Sequence, residues 1–352
     1  MSIIQLRNVF HKRGALLGLG AAALTLTCLG ACERGGGTAP TADKPASGAT
    51  AERSYVFGVI AKSQSNPVFQ AARSGAEQAA RDLENDHPGL HVKIEWRTPT
   101  DEDAQKQAEY LAQLVSSGVD GVAISCSDAK ILTGAINDAV SSGVEVVTFD
   151  SDAPESQRFA YYGIDDVEAG RAVMRELGQA MGGKGVVAIL GGNQTAPNLQ
   201  KRIEGVKTEA ADNWPEVELK YTFYCQETAP DAAATVQREQ QNNPDITGWA
   251  MVGGWPLFTK NALDGIYQNA KVVSVDHLRE ELQYVRAGQV QALVGQDCFG
   301  WGYESVMLLY NKVHNHESPE QVINTFELQI VTPANVEEYE GVWERWLKGG
   351  GG

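Results

Sequence analysis

Short apolar runs alternate with longer amphipathic stretches along most of the chain after Ser54. Four runs rich in β-branched residues come first: YVFGVIA from Tyr55, HVKIEW from His91, VDGVAIS from Val119 and VEVVTFD from Val144. A second series comes later in the chain: GVVAILG from Gly185, ELKYTFY from Glu218, GWAMVG from Gly248 and KVVSVD from Lys271. Near-continuous apolar strands separated by helices predict parallel sheets that are covered on both faces, and two such series predict two α/β domains.

The first strand is followed by a break in the pattern. The stretch GVIAKSQSNPVFQAARSGAEQAA, from Gly58 to Ala80, begins as an apolar strand, breaks at Asn66 and Pro67, and resumes with helical spacing. Pro67 fixes φ at a value suited to the start of a helix, while Asn66 either caps that helix or faces a cleft. Ligands of open parallel sheets lie at the carboxyl ends of strands, so this break is a candidate position for binding side chains.

Polar side chains recur where other strands end. Asp150 and Ser151 come directly after the fourth strand, Asp276 after KVVSV, and Gln296 after ALVG. Arg202 lies one turn into the helix after GVVAILGG. Each of these residues alone is typical of a solvated loop or surface. Together, acidic, amide and guanidinium groups at strand ends of both domains predict one polar ligand site.

The first residues have the pattern of an export signal. Basic residues precede an apolar stretch from Ala15 to Leu29 that is too short to span a membrane stably. It ends in LGAC, which resembles the bacterial lipobox, in which the cysteine becomes lipid-modified. We therefore predict a signal peptide over residues 1–31 and a lipidated Cys32 that begins a flexible tether over residues 32–53. The expected location is the periplasm or cell envelope, with the protein anchored to a membrane by its lipid alone.

Seven motifs, in order, resemble the ribose-binding-protein group of periplasmic sugar-binding proteins, the substrate-capturing subunits of ABC importers. The motifs are the Asn-Pro-x-Phe turn, VDGVAIS with the adjoining Asp128, VVTFDSDAP, GIDDVEAGR, APNLQKRIEGV, VVSVD and GQDCFGWGYES. The resemblance implies two Rossmann-like domains with parallel sheets, joined by a hinge of three strands, as in type I periplasmic binding proteins. It places residues 54–163 and 297–327 in the N-terminal lobe and residues 164–296 and 328–345 in the C-terminal lobe.

The resemblance also implies a set of cleft residues: Asn66, Phe69, Asp150, Arg202, Asp276 and Gln296. Carboxylates accept hydrogen bonds from hydroxyls, Arg donates to sugar oxygens, and an aromatic ring packs on the apolar face of a sugar. Val68 and Ser151 replace an aromatic residue and an Arg that ribose binders commonly carry, and Gly254-Trp255 replaces Asn-Asp. We include Ser151 and Trp255 in the predicted site, with Trp255 as a core residue the alternative. The departures favour a different or larger monosaccharide, or a polyol, over ribose.

Charge and motif content narrow the function. The formal net charge of -16 disfavours nucleic acid as a partner. The sequence lacks the nucleophile elbow, the phosphate loop and the His-Glu-x-x-His metal motif, so we predict no enzyme activity, no cofactor and no metal site. The prediction is a monomeric, lipid-anchored protein that captures a sugar and delivers it to an ABC permease. The alternative is a sensory protein that presents its sugar to a chemoreceptor or receptor kinase.

Three cysteines remain after Cys28 and Cys32 are set aside. They are Cys126, Cys225 and Cys298. In an oxidising compartment, a disulfide between Cys126 and Cys298 would attach the returning segment to the first sheet without joining the moving domains. The other interpretation is three separate thiols that act as small buried apolar groups.

Overall fold

The computed structural model describes residues 52–347. The predicted signal peptide, the lipidated Cys32 and all but the last two residues of the predicted tether lie outside the described residues. Of those two, Arg53 already belongs to the first strand. Within the described part of the chain, no helix combines the length and apolar character that a membrane crossing requires.

The first sheet contains six strands that are all parallel. Its order is β11-β5-β4-β3-β1-β2. The strands are β1 (Arg53–Ile60), β2 (Leu90–Trp96), β3 (Gly121–Ile124), β4 (Glu145–Phe149), β5 (Ala160–Gly163) and β11 (Ile323–Thr325). Neighbouring residues of these strands alternate between two cores, because Val59 packs on one face of the sheet and Ile60 on the other.

The second sheet also contains six strands, in the order β12-β10-β9-β8-β6-β7. The strands are β6 (Lys184–Leu190), β7 (Glu216–Phe223), β8 (Ile246–Met251), β9 (Lys271–Val275), β10 (Ala292–Gly295) and β12 (Gln329–Val331). Five strands are parallel and β12 is antiparallel to β10. Since the chain passes from β11 almost directly into β12, it enters the second sheet from the cleft end and runs against β10.

Helices cover both faces of each sheet. In the first domain, α1 (Val68–Asp86) packs against α8 (Cys298–Tyr310) on one face, and α2 (Ala104–Ser116) packs against α3 (Ala129–Ser141) on the other. In the second domain, α4 (Asp166–Ala180) packs against α5 (Pro197–Asn213), and α6 (Ala229–Asn242) and α7 (Arg279–Arg286) complete its layers. The last helix, α9 (Val336–Leu347), contacts both α1 and α7.

Two parallel-sheet α/β domains and three connections between them confirm the predicted fold class. The connections come after β5, β10 and β11, which lie at or next to one edge of each sheet. The loops at the opposite edges, after β2 and β7, are therefore furthest from the hinge. This arrangement directs the carboxyl ends of the parallel strands of both sheets toward one interdomain cleft.

The cysteines within residues 52–347 are free thiols. Cys126 and Cys298 are buried and Cys225 is half-buried. Cys126 and Cys298 belong to different cores, on opposite faces of the first sheet. The structure therefore contradicts a disulfide between them and agrees with the separate-thiol interpretation.

Candidate functional site

A polar cavity lies between the carboxyl ends of the two sheets. The first domain lines it with Lys62, Asn66, Val68, Phe69, Asp150 and Trp301, and the second with Asn198, Leu199, Arg202, Glu227, Trp255, Asp276 and Gln296. The cavity occupies about 270 Å³, and hydrogen bonds from Asn198 to Asp150 and from Lys62 to Glu227 join the two domains across it. The domains are therefore closed on each other, and the side chains of the site bond mainly to one another.

Seven of the eight residues predicted for ligand binding line this cavity. The exception is Ser151, which is fully buried and is not part of the cavity wall. Its backbone oxygen accepts a hydrogen bond from the backbone N–H of Cys126 at 2.8 Å. The neighbouring Asp150 has φ 56°, a left-handed backbone conformation. The chain therefore turns between Asp150, which lines the cavity, and Ser151, which does not.

Arg202 is the most highly connected side chain of the site. Its guanidinium donates to Asp166 Oδ1 at 2.9 Å, to the Val252 carbonyl at 3.1 Å and to Gln296 Oε1 at 3.0 Å. Burial alone would lower the pKa of Arg202, but the nearby carboxylates of Asp166 and Asp150 raise it above its ordinary value. Burial raises the pKa of Asp166 to about 6, although Arg202 opposes the shift. Arg202 is thus a permanently charged donor held in a fixed position.

Asp150 and Asp276 occupy equivalent positions, directly after β4 and β9. Both have left-handed backbone conformations, with φ 56° and φ 77°. Asp150 accepts hydrogen bonds from Ser125 Oγ at 2.8 Å and from Asn198 Nδ2 at 3.1 Å. Asp276 accepts from Gln296 Nε2 at 2.6 Å and from the backbone N–H of Gly254 at 3.2 Å. Backbone strain at two non-glycine residues, one from each domain, is typical of functional positions.

Aromatic rings form the apolar parts of the wall. The ring of Phe69 lies 5.9 Å from that of Trp301 between centroids. On the opposite domain, the indole of Trp255 is wedged between Gly192 and Gly253, where any Cβ would overlap it. Trp255 belongs to the core of the second domain, and its side chain also forms part of the cavity wall. Rings from both domains flank the polar groups, as a sugar ring with apolar faces requires.

A buried ion cluster closes one side of the cavity. Lys62 Nζ, from the first domain, lies 2.9 Å from both Glu102 Oε1 and Glu227 Oε2, and Glu227 belongs to the second domain. Asn193 of the second domain donates to Glu102 at 3.2 Å. Burial and the neighbouring carboxylate of Glu102 raise the pKa of Glu227 to about 8. The cluster therefore joins the domains and favours retention of a proton at Glu227.

Sequence reasoning missed four polar or aromatic residues of the wall: Lys62, Asn198, Glu227 and Trp301. Asn66 was left open between a helix cap and a cleft residue, and its Oδ1 accepts from the Val68 N–H at 3.2 Å while it also lines the cavity. Asn198 and Lys62 lie in segments that follow the carboxyl ends of strands, where ligands of parallel sheets bind, so their segments were predictable although the residues themselves were not. No comparable signal marks Trp301, whose position depends on the packing of α8 against α1.

A family model described as a periplasmic binding protein domain matches residues 57–317. The chain belongs to this family. Its members are binding proteins rather than enzymes, and their location is extracytoplasmic. The predicted resemblance to ribose-type sugar-binding proteins is therefore confirmed.

Known relatives and solved structures agree with this assignment. The Bacillus subtilis ribose import binding protein is 24% identical over 248 residues, which are 70% of this chain and 77% of that protein. The Pseudomonas aeruginosa D-ribose/D-allose-binding protein is 24% identical over 250 residues, 68% of this chain and 76% of that protein. An ABC transporter solute binding protein from Burkholderia graminis, solved with D-arabinose, superposes with a TM-score of 0.74 at 26% identity, covering 81% of this chain and 97% of that one.

Proposed function

We propose that this protein captures an uncharged monosaccharide unit or polyol in the interdomain cavity and delivers it to an ABC permease. The observation that carries the proposal is the convergence of Asp150, Arg202, Asp276 and Gln296, from both domains, between aromatic rings. Fixed carboxylate acceptors and a fixed guanidinium donor match the paired hydroxyls of a sugar. The carboxyl groups of Asp150, Glu227 and Asp276 line the cavity beside the cations Lys62 and Arg202, so acceptors and donors for sugar hydroxyls are both present.

In this proposal, sugar binding is coupled to closure of the two domains. A sugar that bonds to groups of both domains has higher affinity for the closed form, so it shifts the open–closed equilibrium toward closure. The sugar's hydroxyls replace bonds that the side chains make to one another, such as the one between Asn198 and Asp150. The permease then distinguishes the loaded protein by its closed shape.

The proposal is tested by a thermal-shift screen of defined monosaccharides and polyols, followed by calorimetry on those that stabilise the protein. A sugar at 100 times its Kd adds about 2.7 kcal/mol to the free energy of unfolding. Arg202→Met and Asp276→Asn should each weaken binding by about 2 to 4 kcal/mol, because each leaves buried polar groups unpaired. If none of the screened sugars binds to the wild type, the proposal is excluded.

Anchoring and transport need separate tests. We propose that Cys32 carries a lipid that holds the protein at the membrane, and Cys32→Ser should release it to the soluble fraction. Loss of uptake of the bound sugar on deletion of the gene would support transport. Intact uptake with loss of the transcriptional or chemotactic response would instead indicate a sensory protein.

A further inference from the structure

A second, larger chamber lies outside the sugar cavity. It occupies about 1240 Å³, against about 270 Å³ for the inner cavity. Its walls come from the loops after β1, β2, β6 and β7, and both domains contribute. Because β2 and β7 are the sheet edges furthest from the hinge, the chamber lies at the open side of the cleft.

The inner cavity and the outer chamber adjoin at Glu227, which lines both. Glu227 bonds to Lys62, and that pair separates the two spaces. A glycosidic linkage that replaces the Lys62–Glu227 contact would therefore pass from the inner cavity into the chamber. The ammonium of Lys62 is then positioned to donate to a bridging oxygen, and the carboxyl group of Glu227 is positioned to bond to the neighbouring hydroxyl.

The chamber is lined by groups that suit a hydroxylated ring. They are hydroxyls, amides and carboxylates, from Ser63, Ser65, Asn193, Gln194, Gln226, Asp101 and Glu102. Carboxylates and amides pair with sugar hydroxyls, whereas the excess of carboxylates repels phosphates and sugar acids.

The chamber also contains an aromatic platform. Tyr224 is 37% exposed and lines the chamber. Its ring rests on Gly191, where a Cβ would lie 2.9 Å from the ring carbon Cε1. The backbone of Gly191 therefore holds the ring in place from one side, and part of the ring stays open to the chamber. A rigid, partly exposed aromatic ring beside amides and carboxylates is the arrangement that binds the apolar face of a sugar.

We propose that the outer chamber binds a second sugar ring, linked by a glycosidic bond to the unit held in the inner cavity. The protein's ligand is then a disaccharide or a short glycoside, with one ring beside Phe69 and Trp255 and the next beside Tyr224. This inference rests on the proposed function, because the inner cavity must hold the first unit. It gives a role to the polar, partly aromatic chamber that adjoins the inner cavity at Glu227.

The test is calorimetric titration of the full protein with matched pairs of sugars. The pairs are D-xylose with xylobiose, D-glucose with cellobiose and maltose, and D-galactose with lactose and melibiose. At least one disaccharide should bind about tenfold or more tightly than the monosaccharide it contains. If monosaccharides bind and every disaccharide binds more weakly, the outer subsite is excluded while the proposed function stands. If no sugar binds, both fail.

Variants of Tyr224 locate the effect. Tyr224→Ala should weaken the disaccharide about tenfold and leave the monosaccharide within about twofold. Tyr224→Phe keeps the ring and should keep the wild-type affinities, which separates stacking from a folding defect. Tyr267→Ala is the matched control, because Tyr267 is also 37% exposed but precedes β9 at the end of the sheet away from the cleft. An equal loss for both sugars in Tyr224→Ala would overturn the assignment of this ring to a second subsite.

Discussion

Replacing Arg202 by methionine should destabilise the protein in a way that depends on pH. Methionine keeps much of the side-chain volume but removes every donor. Asp166 then loses a partner at 2.9 Å, Gln296 one at 3.0 Å and the Val252 carbonyl one at 3.1 Å. All of these groups lie in the second domain, so the loss is present in the folded protein whether the cleft is open or closed.

The size of the effect depends on the protonation state of Asp166. At about pH 7.5 Asp166 is ionised in the wild type, because its pKa is about 6. Removal of its buried cation should then cost about 3 to 5 kcal/mol. At about pH 5 Asp166 is mostly protonated with or without Arg202, so the loss is confined to hydrogen bonds from the guanidinium to uncharged acceptors and the cost falls to about 1 to 3 kcal/mol.

The direction of the pH dependence follows from the pKa of Asp166. Folding raises this pKa, and removal of Arg202 raises it further. The folded protein then retains a proton on Asp166 that the unfolded chain releases. The contribution of Asp166 to the free energy of unfolding is therefore most favourable below pH 3.8, and it is lost as pH rises through about 6. Urea unfolding followed by tryptophan fluorescence at both pH values measures the difference. Adding Asp166→Asn to the variant should recover part of the stability at about pH 7.5, because it removes the uncompensated charge.

A control separates this effect from the general loss of an arginine. Arg238 pairs with Glu239 at the surface and its side chain is 57% exposed. Arg238→Met should cost less than about 1 kcal/mol at either pH. A cost for Arg202→Met that is equally small, or that does not change between the two pH values, would refute the role given to the Arg202–Asp166 pair.

Two further predictions concern helix packing and proton uptake. Gly170→Ala places a Cβ against the carbonyl oxygen of Arg202 and should cost about 1 to 3 kcal/mol in the same urea assay. At Gly134 no atom of the described residues lies within 4 Å of the added Cβ, so Gly134→Ala should be neutral or stabilise by about 0.5 to 1 kcal/mol. Equal effects of the two substitutions would contradict the close contact of α4 and α5. Burial and a neighbouring carboxylate raise the pKa of Glu227 to about 8 in the closed form, so closure beside Lys62 favours a proton on Glu227. Sugar affinity should therefore fall as pH rises from about 4.5 to about 8, by up to about tenfold per pH unit. Calorimetry on Glu227→Gln should give a flat profile over this range, and an unchanged slope would argue against Glu227 as the titrating group.

The apolar pattern was sufficient to predict the sheets and the edge at which the site forms. Strands buried on both faces are continuous apolar runs, and the residues directly after each parallel strand must lie at the carboxyl edge, which located Asp150, Asp276 and Gln296. The direction of β12 had no such signal, because it is three residues long and is set by where the chain leaves β11. Short connecting strands depend on the path of the whole chain rather than on local periodicity.

Ion pairs between residues far apart in the sequence are the part of the site that could not be predicted. Lys62 and Glu227 are 165 positions apart, and in sequence each looks like an ordinary surface charge. Only closure of the two domains buries them together. Ser151 illustrates a different limit: it is adjacent to the cleft residue Asp150 in sequence, yet it is fully buried and does not line the cavity.

The contacts of the two cleft aspartates differ in what happens to them when the domains separate. Asp276 bonds to Gln296 and Gly254, and Gln296 in turn accepts from Arg202, all within the second domain. Across the cleft, the Asp150 side chain accepts from Asn198 and lies 3.7 Å from Arg202; in its own domain, among residues 52–347, its side chain accepts from Ser125. Opening therefore leaves the half-site of the second domain assembled and frees Asp150. In the proposed binding sequence, a sugar that enters the open cleft meets fixed partners on the second domain first, and closure then adds Asp150 to them.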